Sequence, residues 1–291
     1  MAVSAVRNAG GVPFLTLKGY FVVRQRQMPD GDTVAFAARS AYDPGAVETN
    51  VPVSTDGAQT SNIRLQSIDA PEKSQPMGAA SRDALLKRLG FDPAALGLSD
   101  TDFSASAPTM VVPGWLATHG MDHNQRPLGY VFRKNPGFKH GVVISAEAVL
   151  QHIRASENYK QALGGWAFPA FYDNTDESHA VRFASAAVKA RKAKKGVWAQ
   201  DATTTGFVPT ADALHAGGAL VYPKFYRRVE KWPTPTPDAA AFISWLKRQA
   251  DGKKLVLGAS RTPMRLWQLF EVVSASKVAV PYDVSKLWFS E

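Results

Sequence analysis

Residues 63–72 read Ile-Arg-Leu-Gln-Ser-Ile-Asp-Ala-Pro-Glu, and no other stretch restricts the fold as much. Ile63 and Leu65 alternate with Arg64 and Gln66, the period of a strand with one face buried and Arg64 on the other. Pro71 excludes the helical region for Ala70, so the strand leaves through an extended loop that fixes the Ala70 carbonyl beside the Asp69 carboxylate. Upstream, Pro29-Asp30-Gly31-Asp32-Thr33 supplies two more carboxylates in turn chemistry. Asp32, Asp69 and the Ala70 carbonyl offer the oxygen ligands that a hard divalent cation takes, and Glu72 is left to act on a bound water.

Plainer readings exist for each piece. Asp30-Gly31-Asp32 alone suits a hairpin turn, and residues 64–72 alone suit a surface ion-pair cluster. The spacing does not fit a calcium helix-loop-helix, because Val34, Phe36 and Ala38 alternate as a strand where that loop needs oxygen ligands. His119 and His123 are four apart, but Gly120 and the lack of a Glu beside the first histidine break the helical zinc pattern.

Around this nucleus the pattern predicts strands over residues 15–27, 33–39, 111–117 and 128–132, with a long surface loop over 40–61 and an irregular insertion over 91–107. A helix is predicted over 78–89 with Gly90 as its cap, a second after Ser145 carrying Val149, Leu150 and Ile153, and a last over 178–195. The cations of residues 189–195 sit where a helix C-terminus favours them and read as a solvated end. This order suits an α+β, mainly β fold: a five-stranded barrel of the oligonucleotide-binding type with about three helices.

Three further segments, in order along the chain, carry a resemblance. Asn124-Gln125-Arg126-Pro127-Leu128-Gly129-Tyr130 places a second arginine before a Leu-small-Tyr strand. Residues 166–174, Trp-Ala-Phe-Pro-Ala-Phe-Tyr-Asp-Asn, precede a basic helix that ends in Gly196-Val197-Trp198. With the acidic turn and residues 63–72, the chain resembles the staphylococcal (thermo)nuclease family over roughly residues 17–202. The resemblance implies calcium-dependent hydrolysis of DNA and RNA, single strands preferred, leaving 3′-phosphate and 5′-hydroxyl ends. It implies Asp32, Asp69 and the Ala70 carbonyl as metal ligands with Asp30 behind them, Glu72 orienting or deprotonating water, and Arg64 and Arg126 neutralising the phosphate. The family's nucleotide pocket uses tyrosines where this chain has Asn124 and Ala170. Only Tyr172 remains as a substrate-binding tyrosine, with Phe168 or Phe171 as replacements for stacking. Relatives of this fold that lack the acidic residues serve as non-catalytic nucleic-acid-binding or protein-interaction modules, which is the alternative function.

Composition narrows the chemistry. With no cysteine, disulfides, thiolate catalysis and cysteine-ligated zinc are excluded, which leaves oxygen and histidine ligands. A net charge of +9 favours polyanionic partners. Residues 204–291 carry 12 Lys and Arg against 7 Asp and Glu, so more than half of that charge lies in under a third of the length. They also hold four of the seven tryptophans, unlike a disordered arm. The expected organisation is an N-terminal extension (1–16), the nuclease-like barrel (17–202) and a small α/β accessory domain (203–291) that adds substrate contacts or docks a protein partner. Within it, residues 221–228 mix aromatics with cations and read either as a nucleic-acid grip or as a strand with aromatics inward and cations solvated. Prolines over 232–237 read as a stiff spacer, followed by a helix over 241–247 and strands over 254–257 and 277–280. No apolar run approaches a membrane span, and the first eleven residues lack the form of a secretory signal, so a soluble, cytoplasmic protein is expected unless the chain is a processed form.

Overall fold

The computed structural model describes residues 11–258 and 262–290. In chain order its elements are β1 (Phe14–Val23), β2 (Thr33–Ala38), β3 (Ser61–Leu65), β4 (Ile68–Asp69), α1 (Gly78–Leu89), β5 (Met110–Met121), β6 (Pro127–Phe132), β7 (Val142–Ile144), α2 (Ala146–His152), α3 (Glu157–Gly164), β8 (Phe168–Pro169), β9 (Phe171–Tyr172), α4 (Glu177–Lys192) and α5 (Val197–Gln200). The C-terminal region adds α6 (Ala211–Leu214), α7 (Pro223–Val229), α8 (Ala239–Arg248), β10 (Leu255–Leu257), β11 (Pro263–Arg265), β12 (Glu271–Ser274), β13 (Lys277–Ala279) and β14 (Trp288–Phe289).

Five strands close into a barrel in the order β1-β2-β3-β6-β5 and back to β1, giving an α+β fold compatible with the oligonucleotide-binding type. All pairings are antiparallel except β3 with β6, where Arg64 lies opposite Leu128. The ten-residue β1 pairs β2 through Gly19–Val22 and β7 through Phe14–Thr16 on the same edge, so it must curl away from one partner to meet the other. Gly19 permits this: a Cβ there would lie 2.0 Å from the Ala37 carbonyl oxygen. Leu17, Phe21, Phe36, Ile63, Leu65 and Leu116 fill the interior and are fully or almost fully buried.

The helix over 78–89 has its predicted bounds, and Gly90 ends it in the left-handed region at φ 98° with its N–H bonded to Leu86 and Lys87 carbonyls. Ser145 caps α2 by accepting the Ala148 N–H. α3 and the short α5 and α6 escaped the sequence pattern. α3 buries Glu157, Asn158 and Gln161, so it lacks the apolar period that announces an amphipathic helix. These polar groups hold the barrel together: Asn158 accepts the Val131 N–H and donates to the Gln66 and Gly129 carbonyls, bridging β3 and β6.

The expected division at 202/203 runs through a shared core. Phe168, Ala187, Ala190, Val197 and Trp198 pack with Phe207, Tyr222, Phe225, Tyr226, Val229 and Phe289 in one buried cluster. β14 adds in parallel to β9, with Trp288 opposite Phe171 and Phe289 opposite Tyr172. Of the expected extension, residues 1–10 lie outside the described residues, and strand structure has begun at Phe14. Residues 221–228 are neither a strand nor carriers of merely solvated cations. α7 covers Pro223–Val229 with Tyr222, Phe225, Tyr226 and Val229 buried at helical spacing. Among the described residues, no helix is long and apolar enough to cross a membrane.

Candidate active site

The acidic turn is set by backbone contacts. Asp30 Oδ1 accepts the Asp32 N–H at 3.0 Å, the side-chain-to-backbone bond that aspartate makes two residues on. Gly31 is required by crowding rather than by its φ: a Cβ would lie 2.0 Å from Ser81 Oγ and 2.7 Å from Ala70 Cβ. Its carbonyl accepts from Gln161 Nε2 at 2.6 Å, so α3 fastens the turn against the barrel. The Leu65 N–H donates to the Asp32 carbonyl, which places the Asp32 side chain at the exit of β3.

There Arg64 bridges the two carboxylates predicted as metal ligands. Its guanidinium pairs with Asp32 Oδ1 through one terminal nitrogen and with Asp69 Oδ1 at 2.6 Å through the other. Ser67, at φ 68°, turns the chain from β3 into β4, where Asp69 is fully buried. The Ala70 N–H donates to Asp32 Oδ2 at 2.6 Å, so the contact between the loop and Asp32 is made by the amide of Ala70. Glu72 follows Pro71 and lines the same cleft.

Arg126 lines the same cleft. The turn between β5 and β6 holds it: Asp122 Oδ2 accepts from its Nε at 2.8 Å and pairs with a terminal nitrogen at 2.7 Å. Asp30, Asp32, Arg64, Ala70, Glu72, Arg126 and Tyr172 therefore share one cleft of about 560 Å³. Asp69 lies beneath its floor, touching the cleft only through its partners.

The sequence reading missed the residue that engages this group most fully. Arg227, from α7, donates to Asp69 Oδ2 at 2.8 Å, to Asp69 Oδ1 at 3.3 Å and to Glu72 Oε1 at 2.5 Å. A signal for it existed, since Tyr222, Phe225, Tyr226 and Val229 recur at the spacing of one helix face, which leaves Lys224 and Arg227 on another. α7 is itself seated through Gln75, which donates to the Val221 carbonyl at 2.8 Å, and Ser74, whose hydroxyl meets Tyr226 Oη at 2.6 Å.

Lys224 takes the position over Tyr172. Its ammonium lies 4.2 Å from the Tyr172 ring centroid and 4.3 Å from that of Phe289. Phe168 and Phe171, offered as stacking replacements, are 0% and 1% exposed in the cores, so neither can receive a base. His119 and His123 do not form a pair; His119 packs against Phe14 while His123 lies at the cleft edge.

Charge is unevenly compensated here. Burial alone raises the Asp69 carboxyl, but Arg227 and then Arg64 outweigh it and hold the group at about 2. For Asp30 the balance goes the other way: burial and then the Asp32 carboxylate outweigh Arg64 and lift it to about 7. Glu72 is raised by burial against the pull of Arg227. Among the described residues, no three His, Cys, Asp or Glu side chains converge as a ready-made metal cage. The donor set consists of carboxylate oxygens, the kind a hard cation takes, but those of Asp32 and Asp69 are engaged by Arg64, Arg227 and the Ala70 N–H, so a bound ion would have to displace these partners.

Fold and site together describe a five-stranded barrel whose open end carries arginines against carboxylates. No family model matches the chain, and no curated protein matches it.

Proposed function

We propose that the chain is a metal-dependent phosphodiesterase of the staphylococcal nuclease type, a calcium-dependent nuclease acting on DNA and RNA and leaving 3′-phosphate and 5′-hydroxyl ends. The observation that carries the reading is Arg64 at the exit of a barrel strand, bridging Asp32 and Asp69, with Glu72 and Arg126 lining the same cleft. Asp32 and Asp69 would hold the ion with Asp30 behind them, and the bound calcium would supply charge neutralisation of the phosphate. Glu72, which lines the cleft beside Arg227, would take the proton of the attacking water. Arg64 and Arg126 present forked donors to oxygens on which negative charge builds.

A second reading, a nucleic-acid-binding module without catalysis, draws on one observation: Arg227 already satisfies Asp69 and Glu72. A cleavage assay on a labelled single-stranded oligonucleotide separates the two. Cleavage that stops on chelation, returns with calcium and is lost in Asp32→Ala and Asp69→Ala supports the enzyme. Calcium-independent binding without cleavage supports the module.

A further inference from the structure

Arg227 reaches the carboxylates from a helix that cannot swing aside without unpacking. Tyr222, Phe225, Tyr226 and Val229 are all 0% exposed, and they clamp α7 against the buried cluster shared with α4 and α5. The guanidinium has N–H donors beyond those given to Asp69 and Glu72, and its side chain remains 31% exposed toward the cleft. Arg64 pairs with Asp69 Oδ1 and Arg227 with Asp69 Oδ2, so two forked donors share the same carboxylate. Lys231, 65% exposed and paired with Asp251 at 2.9 Å, and Lys254 line the same cleft. Arg126 is likewise paired, with Asp122.

We propose that Arg227 is a substrate-contacting residue, which donates to a phosphate oxygen of the bond held opposite Arg64, and that Lys231 and Lys254 take neighbouring phosphates of a single strand. The C-terminal region is then one wall of the active cleft. Fixing an arginine on Asp69 and Glu72 before substrate binds pre-orients its fork, which lowers the ordering cost of phosphate recognition. The inference rests on the phosphodiesterase reading for the identity of its ligand.

The test uses the full chain, with Arg227→Ala, Arg227→Lys and the double variant Lys231→Ala/Lys254→Ala. Cleavage of a labelled single-stranded oligonucleotide in calcium, its binding by fluorescence anisotropy across a salt series, and thermal melting are measured on each. R227A should lose roughly 100-fold in turnover, the scale for removing one donor to a charged transition state. R227K should recover binding more than turnover, because it restores charge without the fork. The double variant, which leaves the acidic cluster intact, should flatten the log–log salt dependence by about 0.7 for every phosphate no longer neutralised. R227A that cleaves as fast as the parent, or faster, overturns the proposal and makes Arg227 a brace or a plug. If R227A fails to fold, an unchanged affinity and salt slope in the double variant overturn it. If the parent binds the oligonucleotide but cleaves nothing, the phosphodiesterase reading falls by itself. Equal affinity of parent and R227A would then overturn this inference too, and weaker binding by R227A would sustain the contact.

Discussion

Replacing Asp30 by Asn should make the protein more stable and a poorer binder of calcium, and the two effects have one cause. Asp30 is lifted from the usual 3.8 to about 7, first by burial and then by Asp32, with Glu72 adding and Arg64 opposing. Between those values the folded chain keeps a proton that the unfolded chain has released, so stability falls as pH rises from about 4 to about 7. At 1.36 kcal/mol per pH unit the whole difference corresponds to roughly 4 kcal/mol. Water at the cleft mouth screens part of it, which leaves about 2 kcal/mol as the working figure. Asn retains the oxygen that accepts the Asp32 N–H, so the turn keeps its bond while the charge is removed. Melting of the calcium-free protein at pH 8 should therefore rise by roughly 4–8 °C in D30N. Between pH 5 and 8 the parent should lose stability and the variant should stay nearly level. Adding calcium should raise the parent's Tm more than the variant's, because a ligand stabilises in proportion to how tightly the folded state binds it. Thermal melts at several pH values, each with calcium and with chelator, read all of this. Equal Tm of parent and D30N at pH 8 without calcium, with equal slopes against pH, would refute the argument that burial and Asp32 outweigh Arg64 at Asp30.

Gly31→Ala should cost about 1–3 kcal/mol in urea unfolding and reduce calcium binding, since the new methyl must displace Ser81 or Ala70; an unchanged midpoint would dispose of the crowding argument. His119 is held down to about 4, first by burial and then by the charge of His179. The unfolded chain therefore binds the extra proton first, and as pH falls from 6.5 to about 4 the protein should lose up to about 3 kcal/mol. His119→Phe should remove that loss, and an acid unfolding curve identical to the parent's would count against it. A chain ending at residue 202 should aggregate or melt without cooperativity, because Phe168, Trp198 and Ala187 lose their cover; a monodisperse fragment with a sharp melt by size exclusion and circular dichroism would show the barrel to be self-sufficient.

Much of the barrel was legible because its determinants are local. Alternation marked β3, Gly90 marked the end of α1, and Ser145 marked the start of α2. α3 was not legible, since its buried positions include Glu157, which pairs with Arg88 and Lys160, and Asn158 and Gln161, which bond backbone at the end of β3, in β6 and in the acidic turn. α7 was misread because aromatics and cations were weighed as composition, whereas their spacing of three and four residues describes a helix face.

The sequence by itself determined the local chemistry of the site: an extended exit before Pro71, a tight acidic turn around Gly31, and a set of oxygen and arginine groups with no cysteine among them. Only the tertiary structure decided which arginines meet which carboxylates. Arg64 reaches Asp32 and Asp69 from its own strand end, Arg126 is held by Asp122 four residues away, and Arg227 arrives from 158 residues beyond Asp69. The reason is physical. Turn and strand preferences act over a few bonds and can be read in order along the chain, whereas an ion pair depends on distance in space, and that distance is set by how α7 packs into a core shared by the helices after the barrel and the C-terminal region.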